Sequence, residues 1–588
     1  MVNNRYNIFC VIIYSIITYI LYIKFNDLNI KHLLLPIISC ALTILGSTFY
    51  KDLKKYYQCI FLFMTICVSI FIIIFSVKLV NPIEGKECLT WIAFSGCIIQ
   101  LIMLTINLLK NMWGGYTFGI DILLILGSSI PILICWGYYV AANSWISVES
   151  CMAILQTNPM EAQNYISDHT SLINLFIVSI IFVVIILLVK VVKEEKLTRY
   201  KRTSIVMIFF LLNMGLLYRC RENLITNIIY DTWVYSNTYN EYLQARKERQ
   251  ENLKQLEGVT NSGEDGVYVL IIGESATRDH MGCYGYSRNT TPWFSSMKNN
   301  KNFVQFNNAW SCANDTVSAL TYALTAKNQY NSVELKKAVS IIEAANAAGY
   351  DTVWLSNQVQ YGLADTPITS IAADSKQQVW IRDKVGHLKD GRYLDLPDYY
   401  DEKILPAIDS IHFTKKMLIV IHLMGSHNSY KLRYPASYAI FNDSRDKSYI
   451  DYYDNSILYT DSVLKNIFQK LSNIDNLKSI VYFSDHGEGI DKNLQHDSNN
   501  YIPQMTRIPF AVYLSKSFEN EQHETYDKIK KSNNRYFTND LIFNTMLGLM
   551  DIKLKKFEEK NNIIWSKEYD NSKERFRTSY GRREISEE

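Results

Sequence analysis

An abrupt change in residue type near residue 220 constrains this chain more than any other feature. Before it lie seven apolar windows, most of them close to the roughly 20 residues that a helix needs to cross a bilayer core. The windows cover residues 7–24, 32–50, 58–78, 89–109, 118–141, 171–190 and 204–218. We therefore predict a transmembrane helical domain over residues 1–220 with five to seven spans, because the short last window has a buried or interfacial helix as its alternative.

The charges of the connecting loops predict how this domain is oriented. Lys and Arg accumulate on the cytoplasmic side of a membrane, and they cluster here in the loops 51–55 and 190–202. The loop 142–170 contains neither residue and carries Glu149, Glu161 and Asp168. This loop and the chain beyond residue 220 are therefore expected outside the cytoplasm. The net charge of +3 is too small to suggest nucleic acid as a partner.

The polar half begins with a predicted interfacial helix and linker over residues 221–265, and strands then alternate with helices. The strands are predicted at 267–273, 351–356, 417–423, 479–484 and 509–514, and the helices near 334–348, 447–472 and 536–550. This alternation predicts an α/β domain over residues 266–588, with a mostly parallel sheet flanked by helices. The charge-rich tail beyond Lys553 is expected to lie on the surface or to be partly disordered.

Two of the predicted strands end in potential metal ligands. Glu274 ends the apolar run VYVLIIGE, and Asp485 and His486 follow the run SIVYFS. Parallel strands bring their carboxyl ends to one edge of a sheet, so we expect these side chains to meet. Two carboxylates and an imidazole suit Zn²⁺ or Mn²⁺. The alternative for Glu274 is a simple cap on a helix that opens near Ala276.

The segment SCANDTVSALTYALT predicts a helix start near Thr316. Free amides and the helix dipole favour an anion there, and a metal-activated threonine hydroxyl can attack phosphorus. In the alternative, Thr316 or Asp315 is an ordinary helix cap. His427, which follows a strand, and His496, ten residues beyond His486, are candidates for binding phosphate or a second metal, or are ordinary histidines.

Five segments taken together resemble a known family. In chain order they are GESATRDHMGCYGYSRNTTP, SCANDT, WLSNQ, HLMGSHNSYKLRYP and SDHGEG. The set is similar to the phosphoethanolamine transferases of the alkaline phosphatase superfamily, a sulfatase-like group that modifies lipid A and the lipopolysaccharide core. The resemblance covers nearly the whole chain and implies Zn²⁺ as the cofactor, with Mn²⁺ or Mg²⁺ as alternatives. The implied metal site consists of Glu274, Thr316, Asp485 and His486, with Thr316 as the nucleophile.

The resemblance also implies substrate contacts. His427 and His496 correspond to residues that bind the substrate phosphate or a second metal, and Asn357 falls where the family has a polar residue near the substrate. The segment 155–165 resembles one that folds over the active site, although an amphipathic helix starting near Pro159 explains it equally. Its candidate contacts with the lipid substrate are Thr157, Asn158 and Glu161.

The reaction that the resemblance implies is transfer of phosphoethanolamine from phosphatidylethanolamine to lipopolysaccharide. It would pass through a covalent phosphoethanolamine-threonine intermediate, and the acceptor would be lipid A or a core sugar. The chain would sit among the lipids of the inner membrane, with its catalytic domain in the periplasm. Tyr322 stands where the colistin-resistance branch has a second cysteine, so the disulfide of that branch is absent. The segment WLSNQ and the scarcity of cysteines in the polar half resemble the core-modifying branch, which points toward a core sugar as the acceptor.

Two rival functions stay open. A phosphoglycerol transferase of the lipoteichoic-acid-synthase kind uses a similar Glu, Thr, Asp and His set, and a catalytically silent membrane protein would only bind lipid. A sulfatase activity is disfavoured because residues 312–316, CANDT, lack the Pro and Arg of the Cys-x-Pro-x-Arg signature. The identity of the donor headgroup and the presence of a bound metal would separate these readings.

Overall fold

The structure is a computed structural model that divides into two compact units. The first consists of residues 1–151 and 169–234, and the second of residues 152–168 and 235–588. The described residues are 30–49, 89–98, 100–102, 150–152, 203–221, 223–255, 260–261, 265–358, 367–381, 400–442, 448–554, 559–563, 569–579 and 581–586, with a few single positions before residue 156.

Two helices of the N-terminal part coincide with predicted spans. Helix α1 covers Ile30–Phe49 and helix α2 covers Thr203–Arg219, while residues 89–98 of a third window are also helical. The windows 7–24, 58–78, 118–141 and 171–190 lie almost wholly outside the described residues. Within the part of the chain that the structure describes, no helix has both the length and the apolarity that a membrane crossing requires. The number of spans therefore stays a prediction.

The remaining elements follow in chain order. The helices are α3 Leu224–Gln244, α4 Arg246–Gln255, α5 Pro292–Met297, α6 Thr316–Ala323, α7 Ile341–Ala347, α8 Pro367–Ala373, α9 Ile404–Asp409, α10 Ser448–Leu471, α11 Lys516–Glu521, α12 His523–Lys530 and α13 Ile542–Leu549. The strands are β1 Thr260–Asn261, β2 Val267–Gly273, β3 Phe303–Phe306, β4 Asn308–Trp310, β5 Asp351–Ser356, β6 Gln377–Trp380, β7 Met417–His422, β8 Leu477–Ser484, β9 Phe510–Leu514, β10 Tyr536–Thr538, β11 Ile552–Lys553, β12 Arg577–Thr578 and β13 Arg583–Glu584.

A seven-stranded sheet organises the second unit, in the order β3-β9-β8-β2-β7-β5-β6. Strands β8, β2, β7, β5 and β6 run parallel, and β9 pairs antiparallel with both β8 and β3. The prediction of a mostly parallel α/β sheet is confirmed. Because the parallel strands share one direction, the ends of β2, β7 and β8 that carry polar residues lie along one edge.

Strand β2 shows why an unbroken apolar run indicates a central strand of the sheet. All seven of its residues are buried, as expected of a central strand that is covered on both faces. Tyr268, Leu270 and Ile272 belong to one hydrophobic core, and Val267 and Val269 belong to the core on the opposite face. The alternation of side chains along the strand divides them between the two layers.

Three local predictions need correction. The helix expected near 334–348 starts later, because Ser340 and Glu343 form a capping box that begins α7. The helix expected near 536–550 begins only at Ile542, since residues 536–538 form β10 and pair with β4. The prediction of a surface or partly disordered tail is corrected at two positions, because Phe576 and Ile585 are buried in the core that contains Tyr268.

Candidate metal and nucleophile site

The metal-ligand candidates meet at the edge of the sheet where β2 and β8 end. Gly273 pairs with Ser484, so Glu274 and Asp485 follow side by side, and both are buried. Ser275 then adopts a left-handed conformation (φ 56°), and its backbone N–H donates to Asp485 Oδ1 at 2.9 Å. The next helical turn, at Arg278–His280, is capped by Thr277. The alternative in which Glu274 caps a helix near Ala276 is therefore wrong.

The nucleophile candidate sits at the first turn of α6. Asp315 is the helix cap, because its side chain accepts the N–H of Ser318 at 2.9 Å. Thr316 therefore does not cap the helix, and its side chain points toward the ends of β2 and β8. Its Oγ lies 3.1 and 3.3 Å from the two carboxylate oxygens of Glu274 and 3.4 Å from His486 Nε2. The side chain is partly exposed, so a substrate can reach it.

The backbone determines which nitrogen of His486 faces the site. Its Nδ1 lies 2.8 Å from the carbonyl oxygen of Gly487, which can only accept, so Nδ1 carries a proton. Nε2 then points toward Glu274 Oε1 and Asp485 Oδ2, each 3.4 Å away. An imidazole held by its outer nitrogen in this way is the usual arrangement of a metal-binding histidine.

Electrostatics at this cluster favour a cation. Burial and the Glu274 carboxylate raise the pKa of Asp485 to about 7. Burial alone would lower the pKa of His486, but the carboxylates of Asp485 and Glu274 outweigh it and raise that pKa. Asp485 Oδ2 is buried without a hydrogen-bond partner among the described residues. A divalent cation would neutralise Glu274 and Asp485 and would replace the proton that their charges otherwise favour on His486 or Asp485. This set of ligands fits Zn²⁺ or Mn²⁺.

His496 lies beside this cluster, and a residue that the sequence analysis did not select holds it there. The His496 ring centroid is 4.7 Å from that of His486. Its Nδ1 lies 3.0 Å from Glu488 Oε1, and Glu488 is fully buried. His486, Glu488 and His496 form a second group that could hold a cation. The signal in the sequence was an acid two residues after the Asp-His pair, in a loop that follows an apolar strand.

His427 lies on a loop that contacts the same edge. The N–H of Ser426 donates to the backbone oxygen of Glu274 at 2.9 Å. On the other side of His427, the Asn428 side chain approaches Gln495, next to His496, at 3.4 Å. The half-buried His427 therefore lies between a residue that contacts Glu274 and a residue that contacts the loop of His496.

The remaining candidates are placed less directly. Asn357 is buried and its side-chain amide donates to Asp401 Oδ1 at 2.8 Å. Its contact with substrate stays a prediction. Thr157, Asn158 and Glu161 lie outside the described residues. Met152, which precedes them, packs against the core of the second unit.

Residues 267–552 match the family model described as Sulfatase. These residues are a sulfatase-family domain. All four members of the implied metal site lie within it, and the resemblance to phosphoethanolamine transferases is confirmed by the relatives of the chain. The phosphoethanolamine transferase EptC of Escherichia coli (strain K12) is 26% identical over 423 residues, 65% of this chain and 72% of that protein.

Two further comparisons, one of sequence and one of structure, cover different shares of the chain. A protein of Escherichia coli (strain K12) named YhbX is 35% identical over 264 residues, so the matched part spans only 44% of its length. The integral membrane protein lipooligosaccharide phosphoethanolamine transferase A (EptA) from Neisseria meningitidis has a similar fold, with a TM-score of 0.56 and 17% identity over 85% of this chain and 98% of that one.

Proposed function

We propose that this chain transfers phosphoethanolamine from phosphatidylethanolamine to lipopolysaccharide, at a core sugar or at lipid A. In this proposal the chain is a multi-pass protein of the inner membrane over residues 1–220, with its catalytic domain in the periplasm. That placement brings the site to the outer face of the bilayer, where both lipids are found. Curated relatives that carry the name phosphoethanolamine transferase support the proposal.

The observation that carries the proposal is the position of the Thr316 hydroxyl. Glu274, Asp485 and His486 are buried, whereas Thr316 beside them is partly exposed. Thr316 is also the first residue of helix α6. A hydroxyl so placed can lose its proton to the site while the free amides of the first turn of α6 favour the resulting negative charge. The same amides would face the transferring phosphoryl group.

The proposed reaction has two displacements. Thr316 Oγ bonds to the phosphorus of phosphatidylethanolamine, the bond from phosphorus to the diacylglycerol oxygen breaks, and that oxygen takes up a proton. An acceptor hydroxyl or phosphate oxygen then bonds to the same phosphorus, the bond from phosphorus to Thr316 Oγ breaks, and Oγ takes up a proton to restore the hydroxyl, which an acceptor hydroxyl supplies as it loses its own. Glu274, Asp485 and His486 would hold a divalent cation, Zn²⁺ first among them, which supplies Lewis acidity toward the phosphoryl oxygens.

His427 and His496 would assist by donating hydrogen bonds to those oxygens or by holding a second cation. Glu488 accepts from His496 Nδ1, so it would direct the other nitrogen of that ring outward. Asn357 and the segment with Thr157, Asn158 and Glu161 are proposed to contact the substrates.

The test is mass spectrometry of lipopolysaccharide from cells that express the chain, after mild acid has separated lipid A from the core. We expect a phosphoethanolamine increment with the wild type and none with Thr316→Ala. Thr321→Ala is a matched control, because Thr321 lies in the same helix and bonds the carbonyl of Val317 instead. Full activity of Thr316→Ala would remove the assignment of the nucleophile.

The same cells separate the rival functions. A phosphoglycerol transferase would release diacylglycerol from phosphatidylglycerol and leave phosphatidylethanolamine untouched. A lipid-binding protein without activity would consume neither lipid and would bind no metal that a chelator removes. The fraction that carries the increment names the acceptor.

A further inference from the structure

Asp401 is a buried carboxylate that the proposed reaction does not use. The residue is only 4% exposed, and its side chain accepts three hydrogen bonds. Oδ1 accepts the backbone N–H of Met424 and the side-chain amide of Asn357, each at 2.8 Å, and Oδ2 accepts the N–H of Gly425 at 2.8 Å. The carboxylate thus uses both oxygens to hold two consecutive backbone amides.

The turn that Asp401 holds rests directly on the metal-site strand. Gly425 has φ 52°, and a Cβ there would come within 2.7 Å of the backbone oxygen of Glu274, so only glycine allows this approach. The N–H of Ser426 bonds the same oxygen. His427 follows immediately, so its position relative to Glu274 depends on how the two preceding amides are held.

We propose that Asp401 is a positioning residue that sets His427 against the transferring phosphoryl group. The inference rests on the proposed function, because His427 has a task only if a phosphoryl group is transferred. Asp401 acts through the turn and touches neither the substrate nor the cluster of Glu274, Asp485 and His486. Outer partners of this kind commonly change activity by about 10–100-fold when they are replaced.

A second aspartate provides a matched comparison. Asp461 is also buried, at 3% exposure, and accepts two consecutive backbone amides, those of Trp293 at 2.8 Å and Phe294 at 3.0 Å. These amides belong to the start of α5, which carries none of the candidate site residues. Asp461 therefore has the same local chemistry as Asp401 without the connection to His427.

The experiment compares Asp401→Asn with Asp461→Asn. It also combines Asp401→Asn with His427→Ala in a double-mutant cycle. An amide side chain offers one acceptor oxygen, so either Met424 or Gly425 must face an NH₂ group. We expect Asp401→Asn to lower kcat about 10–100-fold with bound metal and KM little changed. With His427→Ala already present, Asp401→Asn should lower kcat by no more than about twofold. Asp461→Asn should leave kcat within about twofold of the wild type.

The full chain is assayed with phosphatidylethanolamine and, in parallel, with bis(4-nitrophenyl) phosphate as a simple phosphodiester. Activity on the simple ester alone would show that phosphatidylethanolamine is not the donor. The double-mutant cycle, measured on that ester, would still decide the role of Asp401. Independent, multiplying losses from Asp401→Asn and His427→Ala would overturn the inference, as would loss of metal in Asp401→Asn or an equal loss of kcat in Asp461→Asn. A wild type that is inactive on both esters overturns the function and the inference together.

Discussion

The chain contains two Asp-His pairs, Asp279-His280 and Asp485-His486, and the fold puts them to different uses. Both histidines are buried between carboxylates: His280 contacts Asp454 at 2.7 Å and Asp491 at 3.2 Å, and His486 lies 3.4 Å from Asp485 and from Glu274. The difference lies in whether arginine side chains form ion pairs with the acids.

At the first pair, arginines neutralise the carboxylates. Arg507 bonds Asp279 at 2.6 Å, and Arg288 bonds Asp454 at 2.6 Å. At the second pair, no Lys or Arg among the described residues forms an ion pair with Glu274 or Asp485, and Asp485 Oδ2 has no hydrogen-bond partner there. Two buried acids whose basic partner is a single imidazole, that of His486, favour an added cation, so the second pair fits a metal and the first is a structural ion network.

The largest effect that follows is loss of metal and activity in Asp485→Asn. The amide is a poor ligand, so we expect the bound metal to disappear and the proposed transfer to slow by about 10³-fold or more. Metal content by elemental analysis and turnover of phosphatidylethanolamine measure both quantities. Asp279→Asn is the control from the other pair and should retain metal. Retention of metal in Asp485→Asn would show that the two pairs do not differ as described.

The next effect concerns stability and arises at the first pair. Asp454→Asn removes the carboxylate that Arg288 and His280 share, and breaking a buried pair of this kind costs up to about 3–5 kcal/mol, less here because Arg288 keeps Asp451 and His280 keeps Asp491. The midpoint of denaturant unfolding, followed by tryptophan fluorescence, should fall accordingly. Asp491→Asn removes the exposed partner of His280 and should cost about 1 kcal/mol or less. Equal losses in the two variants would contradict the distinction between buried and exposed partners.

The comparison also explains which parts of the molecule could be predicted from the sequence. Apolar runs that end in Glu274 and in Asp485 predict central strands with ligands at one edge, because period, length and strand direction are local properties. The start of α6 at Thr316 is signalled by polar residues that lead into an apolar run. These features needed no knowledge of distant contacts.

Features that depend on distant partners could not be predicted in this way. His280 and Asp454 are 174 residues apart in the chain, so the sequence does not show which Asp-His pair is neutralised. Glu488 and Asp401 gain their roles only when their loops are brought to His496 and His427. Strand β10 was missed because its pairing with β4 determines its conformation more than its three residues do.

The smallest effect is a pH dependence of stability that arises at His280. Burial lowers the pKa of this imidazole, but hydrogen bonds and charge from Asp454 and Asp491 outweigh it and raise the pKa to about 9. A histidine with a raised pKa in the folded state stabilises the fold fully below its unfolded pKa of about 6.5, and the contribution is lost as the pH rises through 9. The wild type should therefore lose up to about 3 kcal/mol between pH 6.5 and 9.5 relative to His280→Gln. His412→Gln, at an exposed position of the same domain, should follow the wild type, and identical pH profiles for the wild type and His280→Gln would show that His280 is not charged in the folded protein.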